Sequence, residues 1–560
     1  MRKLVLIICT TFLIASCSKE KTLHYTVTKT LYDSIPVLNI AMKFDAENDG
    51  ETTLLFQDHA WGETDIHNVL ADLESLNEGV EVMKIKDSGQ IILKHPKDLE
   101  TIHFQYKIVQ DTKLPITTKK AFRPIVQDEY FHAFSHNLFM LPSNYASSSD
   151  SKFNVHIHWK GFDSTFNLIN SFGTNDQHQV IKNTDKNHFH SAVFTGGDYR
   201  AHEIIINGND AVLGIRGDWK VFNDSTIVDV LESTLQAQRD FWQDHSQEYF
   251  AVTMTPTFLE RGTGFQGSGL TNSFATTATN NTYLNLEGLV YLFNHELQHN
   301  WTGHIIVNEN EEEQYWFSEG FTEYYTLKNI ARNRIANLDE SYFINELNKR
   351  IKALYISPVK EAPNSEINYN NFWTSRDYEK LPYRRGTIFA FYLDNKIRKA
   401  SNGAKSLDDL MLAIKEDAVS NKQKLSHPYF LSKANEYLTE DLSLFFNKHI
   451  VQGKLFDLIG MFNEFDCEFN PTSVVFDLGL TLSEDKKSIA RVDENSNAYK
   501  AGLRKGDRLT LRSFYYGNPE FKAEFKVYKN GKETHHTYFP SKEAKIPSLK
   551  DNDHNKKAVY

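Results

Sequence analysis

The segment NHELQHNWTGHIIVNENEEEQYWFSEGFTEYY, Asn294 to Tyr325, holds a group of residues whose types and spacing can do chemistry. It opens with the pattern His-Glu-x-x-His. On a helix, His295 and His299 project from one face, where two imidazoles can hold one Zn²⁺ with bonds of about 2.0–2.1 Å. Glu296 stands one step round, able to reach an attacking water without itself being a ligand. A third ligand is expected from a carboxylate further on, and Glu319 in WFSEG is placed to be it. Glu323, one helical turn later, is expected to brace a ligand histidine from behind. Together these residues predict one Zn²⁺ per chain and metal-assisted hydrolysis, the chemistry of a zinc-dependent peptidase.

Such a set needs elements that hold it. Leu286, Leu289, Val290, Phe293 and Leu297 recur at helical spacing, so the histidine pair lies on a helix with a face that can be buried. The stretch around Glu319 and Glu323 is helix-compatible too. Ahead of them, Ile227, Val230, Leu231, Leu235 and Trp242 mark an amphipathic helix, and Tyr249 to Thr255 a strand.

HNWTG followed by WFSEGFTEYY resembles the zinc core of the gluzincin metallopeptidases, in both the aminopeptidase N and the glycyl aminopeptidase groups. Those families usually have about eighteen residues between the second histidine and the ligand glutamate; here there are nineteen, Asn300 to Ser318, and the polar NENEEEQ loop is where an extra residue costs little. The resemblance implies a thermolysin-like, mainly helical zinc catalytic domain. It also implies that RGTGFQGSGLTNSF, Arg261 to Phe274, is an edge strand and loop that binds the substrate backbone, through Gly269, Leu270 and Asn272. The acidic residue that holds a substrate's free amino group in those families has no counterpart here. Gln266 and Thr271 are the nearest side chains, and a neutral group does not pair with an ammonium as a carboxylate does. Tyr383, ahead of Arg385-Gly386, resembles the families' catalytic tyrosine, a donor to the oxyanion, with Tyr378 and Tyr369 as competitors. A helix is expected to open after Gly386. Ser406 to Met411 and the pairs Leu393-Asp394 and Ile397-Arg398 resemble the glycyl aminopeptidase group. Phe476 to Leu480, Ala501-Gly502-Leu503 and Gly506-Asp507 resemble a PDZ domain, which takes an extended peptide as an added strand, so a peptide C-terminus is a further expected partner.

The rest of the chain frames this core. Arg2 and Lys3 precede an apolar run, Leu4 to Ile14, and then Ala15-Ser16-Cys17: a signal peptide over 1–16. The small residues before Cys17 resemble a bacterial lipobox and imply lipid attachment to Cys17. Ser18 resembles outer-membrane sorting. The expected location is the bacterial cell envelope, with membrane contact through lipid, since no later apolar run approaches the roughly eighteen residues of a spanning helix. Cys9 leaves with the signal, so Cys467 has no partner for a disulfide. A net charge of −11 spread along 560 residues argues against nucleic-acid binding.

Residues 17–219 read as a β-rich domain, with Ile102, Phe104, Tyr106 and Ile108, and Phe153, Val155, Ile157 and Trp159, alternating as half-buried strands. His156 and His158 share a strand face, and His132 and His136 have helical spacing; without nearby ligand motifs both pairs read as structural. The expected organisation is multidomain α+β: the β-rich domain, a catalytic domain over 220–468, a PDZ-like β domain over 469–540, and a polar, disordered tail over 541–560. The function expected is that of a zinc peptidase, an aminopeptidase on exported or extracellular peptides. The alternatives are an endopeptidase or oligopeptidase on the same core, or a non-catalytic, lipid-anchored peptide-binding scaffold.

Overall fold

A computed structural model describes residues 21–558 except 118–120, 147–150, 163–164, 261 and 530. The signal segment and Cys17 lie outside the described residues. The chain falls into two compact units, one of residues up to Ala201 with Leu270–Ser273, the other of His202–Gly269 and Phe274–Tyr560. The architecture is α+β, β-rich at the N-terminal side and mainly helical beyond. No helix among the described residues is long and apolar enough to cross a membrane.

In the first unit a six-stranded sheet is built from β1 (Thr22–Tyr32), β2 (Ile35–Asp45), β3 (Leu70–Ser75), β4 (Thr101–Val109), β5 (Phe153–Lys160) and β6 (His178–Thr184). Their order across the sheet is β6-β5-β1-β2-β4-β3. β1 and β5 run parallel, and their other neighbours antiparallel. The alternation expected of β4 and β5 is observed: Ile102, Phe104, Tyr106, Ile108, Phe153, Val155, Ile157 and Trp159 all face one core. His132 and His136 do not share a helix. His132 lies on the strand Tyr130–Phe134 and His136 in the 3-10 turn after it. Both are buried, which pushes each imidazole down to about 4 and keeps it neutral.

The second unit begins earlier than the expected 219/220 boundary. β7 (Arg200–Ile206) and β8 (Asn209–Ile215) join β9 (Tyr249–Thr257), β10 (Phe265–Leu270) and β11 (Ser273–Thr279) in one sheet, ordered β7-β8-β9-β11-β10. Strand pairing, invisible to local composition, decides the boundary. Helix α1 (Asp224–Trp242) is capped by Asn223, whose side chain accepts from the Thr226 N–H, and it buries the expected Ile227, Val230, Leu231, Leu235 and Trp242. The helical body includes α2 (Leu286–Gln298), α3 (Glu311–Ser318), α4 (Gly320–Arg332), α5 (Glu340–Ile356), α6 (Arg376–Ala400) and α7 (Leu407–Asn421). Helix α6 opens at Arg376 rather than after Gly386 and carries Pro382 inside it. An internal proline costs a helix about 3 kcal/mol. Burial of Leu381, Pro382, Arg385 and Ile388 in the helical core outweighs that local preference.

Beyond residue 469, strands Ser473–Phe476, Leu480–Leu482, Ile489–Val492, Arg508–Ser513, Ala523–Lys529 and Lys532–Tyr538 enclose a small core of Ile489, Ala498, Leu503, Phe525 and Val527. The tail is folded, contrary to the expectation of disorder. Ser541–Ala544 pairs with Ser473–Phe476, and Ser548–Leu549 with Phe469–Asn470. Asn348 of α5 donates to the Leu549 carbonyl and accepts from its N–H, both at 2.9 Å. Backbone pairing and the burial of Ile546 and Leu549 hold a segment whose polar composition hides them.

Candidate active site

Helix α2 is started by Asn285, whose side chain accepts from the Gly288 N–H at 2.8 Å, and is fixed by the buried Leu289, Val290, Phe293 and Leu297. That leaves His295, Glu296 and His299 on one flank. Glu319 sits at the break between α3 and α4. The chain brings His295, His299 and Glu319 together as one group of metal-ligating atoms. Glu319 Oε2 is 3.4 Å from His295 Nε2 and 3.6 Å from His299 Nε2. Ligand atoms around a tetrahedral Zn²⁺ at 2.0–2.1 Å are separated by about 3.3 Å. The three atoms therefore stand where zinc needs them. Glu319 Oε2 is also buried without a hydrogen-bond partner among the described residues, the state of an atom meant for a metal.

The electrostatics agree. Burial alone would raise the Glu319 carboxyl, but the charge of His299, then the neighbouring His295 and the Tyr383 phenol, bring it down to about 2. His299 Nδ1 bonds the Thr302 carbonyl at 2.9 Å, which makes Nδ1 the protonated nitrogen and frees Nε2 as a ligand. Tyr383, on α6, lies in the site: its ring is nearly parallel to His295, 13° apart with centroids at 5.8 Å. Burial, then the charges of Glu319 and Glu296, raise its phenol far above the ordinary value, so it stays a donor. Tyr378, its competitor, is hydrogen-bonded instead to Glu366 at 3.1 Å.

Glu323 does not brace a histidine by hydrogen bond. Its carboxylate accepts from Tyr291 Oη and, at 2.9 Å, from Arg350 Nε, and Arg350 reaches it from α5. His295 Nδ1 has no hydrogen-bond partner among the described residues. The support is indirect: Tyr291, tied to Glu323, lays its ring against His295 at 25° and 5.7 Å. Arg350 was missed by sequence reasoning, which had no local signal for it. Tyr291 could have been found, one turn before His295 on the same helix.

The register between Glu319 and Tyr383 is set by two glycines. A Cβ on Gly386 would stand 2.0 Å from the Trp316 carbonyl oxygen, and one on Gly320 would stand 2.4 Å from Gly386 Cα. Only glycine lets α6 approach the α3–α4 break this closely. Gly386→Ala is expected to cost about 1–3 kcal/mol of stability, read by thermal unfolding. It should lower turnover as well, by displacing Tyr383.

The hairpin β10–β11 runs beside α2. A Cβ on Gly267 would lie 2.9 Å from Glu296 Cγ, and one on Gly269 would lie 3.7 Å from His299 Cβ. Of the three expected substrate-binding residues, Gly269 is thus brought beside the ligand helix. Leu270 and Asn272 group with the first unit, Leu270 buried and Asn272 at the hairpin turn with a left-handed φ of 46°. Pleat alternation turns Gln266 to the face opposite Gly267, away from Glu296.

Two imidazole nitrogens and a carboxylate oxygen, with a non-ligand glutamate between the histidines, form a donor set that fits zinc. Residues 270–448 match the peptidase family M1 domain, and zinc is the cofactor expected of it. Leucine aminopeptidase 2 of Yarrowia lipolytica (strain CLIB 122 / E 150) is 25% identical over 168 residues, 28% of this chain and 24% of that protein. The match thus spans about a quarter of that relative's length. The fold is similar to that of an aminopeptidase N family protein from Idiomarina loihiensis, with a TM-score of 0.70 at 15% identity over 96% of this chain and 100% of that one. An M1 zinc metallopeptidase from Deinococcus radiodurans gives a TM-score of 0.46 at 12% identity, over 78% of this chain and 94% of that one.

Proposed function

We propose that the chain is a zinc-dependent aminopeptidase acting on exported or extracellular peptides. The mutual spacing of His295 Nε2, His299 Nε2 and Glu319 Oε2 carries this reading. Zinc held there supplies Lewis-acid polarisation and a water acidic near neutrality. Glu296 takes the proton of the attacking water and delivers it to the leaving amine. Tyr383 donates its phenolic hydrogen bond to the oxyanion of the tetrahedral intermediate. Gly267 and Gly269 keep β10 close to α2, so an extended peptide can lie along the strand beside Glu296. Glu311, the first residue of α3, accepts from Asn308 at 3.1 Å and lies within electrostatic reach of Glu319 and His299, and we assign it the substrate's ammonium.

Removing one oxyanion donor lowers kcat by about 10²–10³. Tyr383→Phe is expected to show that loss with zinc retained and little change in KM. An unchanged kcat would remove Tyr383 from the reaction.

A panel of peptides, free and N-acetylated, with and without chelator, tests the whole reading. Free peptides should be cleaved at the amino end, acetylated ones spared, and chelator should stop turnover. The turning away of Gln266 favours a second reading, an endopeptidase on the same zinc core. Internal cleavage of the acetylated peptides would establish it.

The module over 469–540 supports a PDZ-like reading through the left-handed Gly479 and the short helix Asn497–Lys500, with a peptide C-terminus as ligand. Attachment of the chain to the cell envelope through lipid on Cys17 completes the proposal, and mass spectrometry of the mature N-terminus tests it.

A further inference from the structure

Four of the chain's 22 histidines meet on the outward face of the six-stranded sheet. They come from three neighbouring strands, β6, β5 and β1. His156 and His158 are two apart on the central strand β5, so both side chains leave the same face. Across the parallel pair, His24 of β1 stands opposite His156; across the antiparallel pair, His178 of β6 stands opposite His158. The rings form a continuous chain: centroids are 4.8 Å apart for His24 and His156, 5.6 Å for His156 and His178, and 3.9 Å for His158 and His178. The alternate residues Leu23, Tyr25, Val155, Ile157 and Trp159 are buried, which locks these strands in register and the histidines outward.

We propose that His24, His156, His158 and His178 form a second transition-metal site, taking Zn²⁺, Ni²⁺ or Cu²⁺ through imidazole nitrogens. Imidazole suits those ions, and with no carboxylate among the four, Ca²⁺ and Mg²⁺ have nothing to bind. None of the four rings has a hydrogen-bond partner among the described residues, so their nitrogens are uncommitted. Their ligand atoms are not gathered as those of His295, His299 and Glu319 are, so an ion would be taken up by rotation of the imidazoles about their side-chain bonds. Burial, then neighbouring histidines and lysines, lower His24 and His158, so both are neutral and ready to ligate near pH 7. Lys43, opposite His24, and Lys160, beyond His158, oppose the ion's charge. The Irving–Williams order makes Cu²⁺ the tightest of the three.

The test is metal stoichiometry of the full chain, dialysed against buffered Zn²⁺ and analysed for metal. The wild type should hold two ions per chain. His156→Ala/His158→Ala should hold one, with an unchanged circular dichroism spectrum. His295→Ala/His299→Ala should also hold one, lost from the other site. Adding Cu²⁺ to that second variant should give an electron paramagnetic resonance spectrum with coupling to several imidazole nitrogens. A wild type that holds one ion, two ions surviving in His156→Ala/His158→Ala, or a copper spectrum without nitrogen coupling would overturn the proposal.

Discussion

Glu296→Gln is expected to retain zinc and lose about 10²–10⁴ in kcat, the contribution of a positioned general base. The substitution is nearly isosteric. It keeps the side chain against Gly267, where a Cβ would come within 2.9 Å of Glu296 Cγ, so the hairpin stays in place. It leaves His295, His299 and Glu319 untouched, and the metal content should remain one at this site. What it removes is basicity: an amide cannot take a proton from the attacking water. KM should change little, because Glu296 acts on the reacting water rather than on the bound peptide. Metal analysis beside steady-state kinetics separates the outcomes. Activity within tenfold of wild type would show that another group is the base. Loss of zinc would show that Glu296 supports the ligand helix instead.

That experiment depends on residues that were legible in the sequence, and the reason is physical. His295, Glu296 and His299 lie within one helix, where spacing alone decides direction, and Asn285 with the apolar set Leu289, Val290, Phe293 and Leu297 announces that helix. Glu319 was legible as a carboxylate at a suitable distance along the chain. Its place at a break between two helices was not, because the close approach of Gly386 to Gly320 beside that break is a tertiary contact. Tyr383 could be found only by resemblance, since it arrives from α6 through tertiary packing. For the same reason the sequence does not mark what Glu323 binds. Its true partners, Tyr291 and Arg350, are chosen by the way α5 packs on α4, and a guanidinium is the stronger partner for a buried carboxylate. The alternation of β4 and β5 was readable because each strand has one buried face. The pairing of β7 and β8 with the sheet of the second unit, and of the tail with Ser473–Phe476, is long-range and leaves no local mark.

Asp394→Ala is expected to cost about 3–5 kcal/mol of stability, the range for removing one partner of a buried ion pair. Asp394 and Lys328 are each 1% exposed as side chains, and the Lys328 ammonium donates to Asp394 at 2.9 Å and to Asp408 at 2.7 Å. Asp394 also accepts from Tyr324 Oη at 2.6 Å and from the Leu407 N–H at 2.9 Å, so one carboxylate of α6 ties down α4 and the start of α7. Truncation leaves a buried ammonium with Asp408 alone. Burial would raise the Asp394 carboxyl, but Lys328, Arg398 and the Tyr324 and Leu407 hydrogen bonds hold it far below the ordinary carboxylate range. A carboxyl depressed in the folded state stabilises at pH values above its unfolded pKa, about 3.9. That contribution is lost as pH falls below this value toward the folded one. The stability difference between wild type and Asp394→Ala should therefore be full at pH 7 and shrink in acid below about pH 4. Replacing both partners, as in Lys328→Met/Asp394→Leu, should recover much of the loss, since a packed apolar pair carries no desolvated charge. Denaturant unfolding of the wild type and the two variants checks this. A cost below about 1 kcal/mol for Asp394→Ala would mean that water reaches Lys328 and the network contributes as a surface pair does.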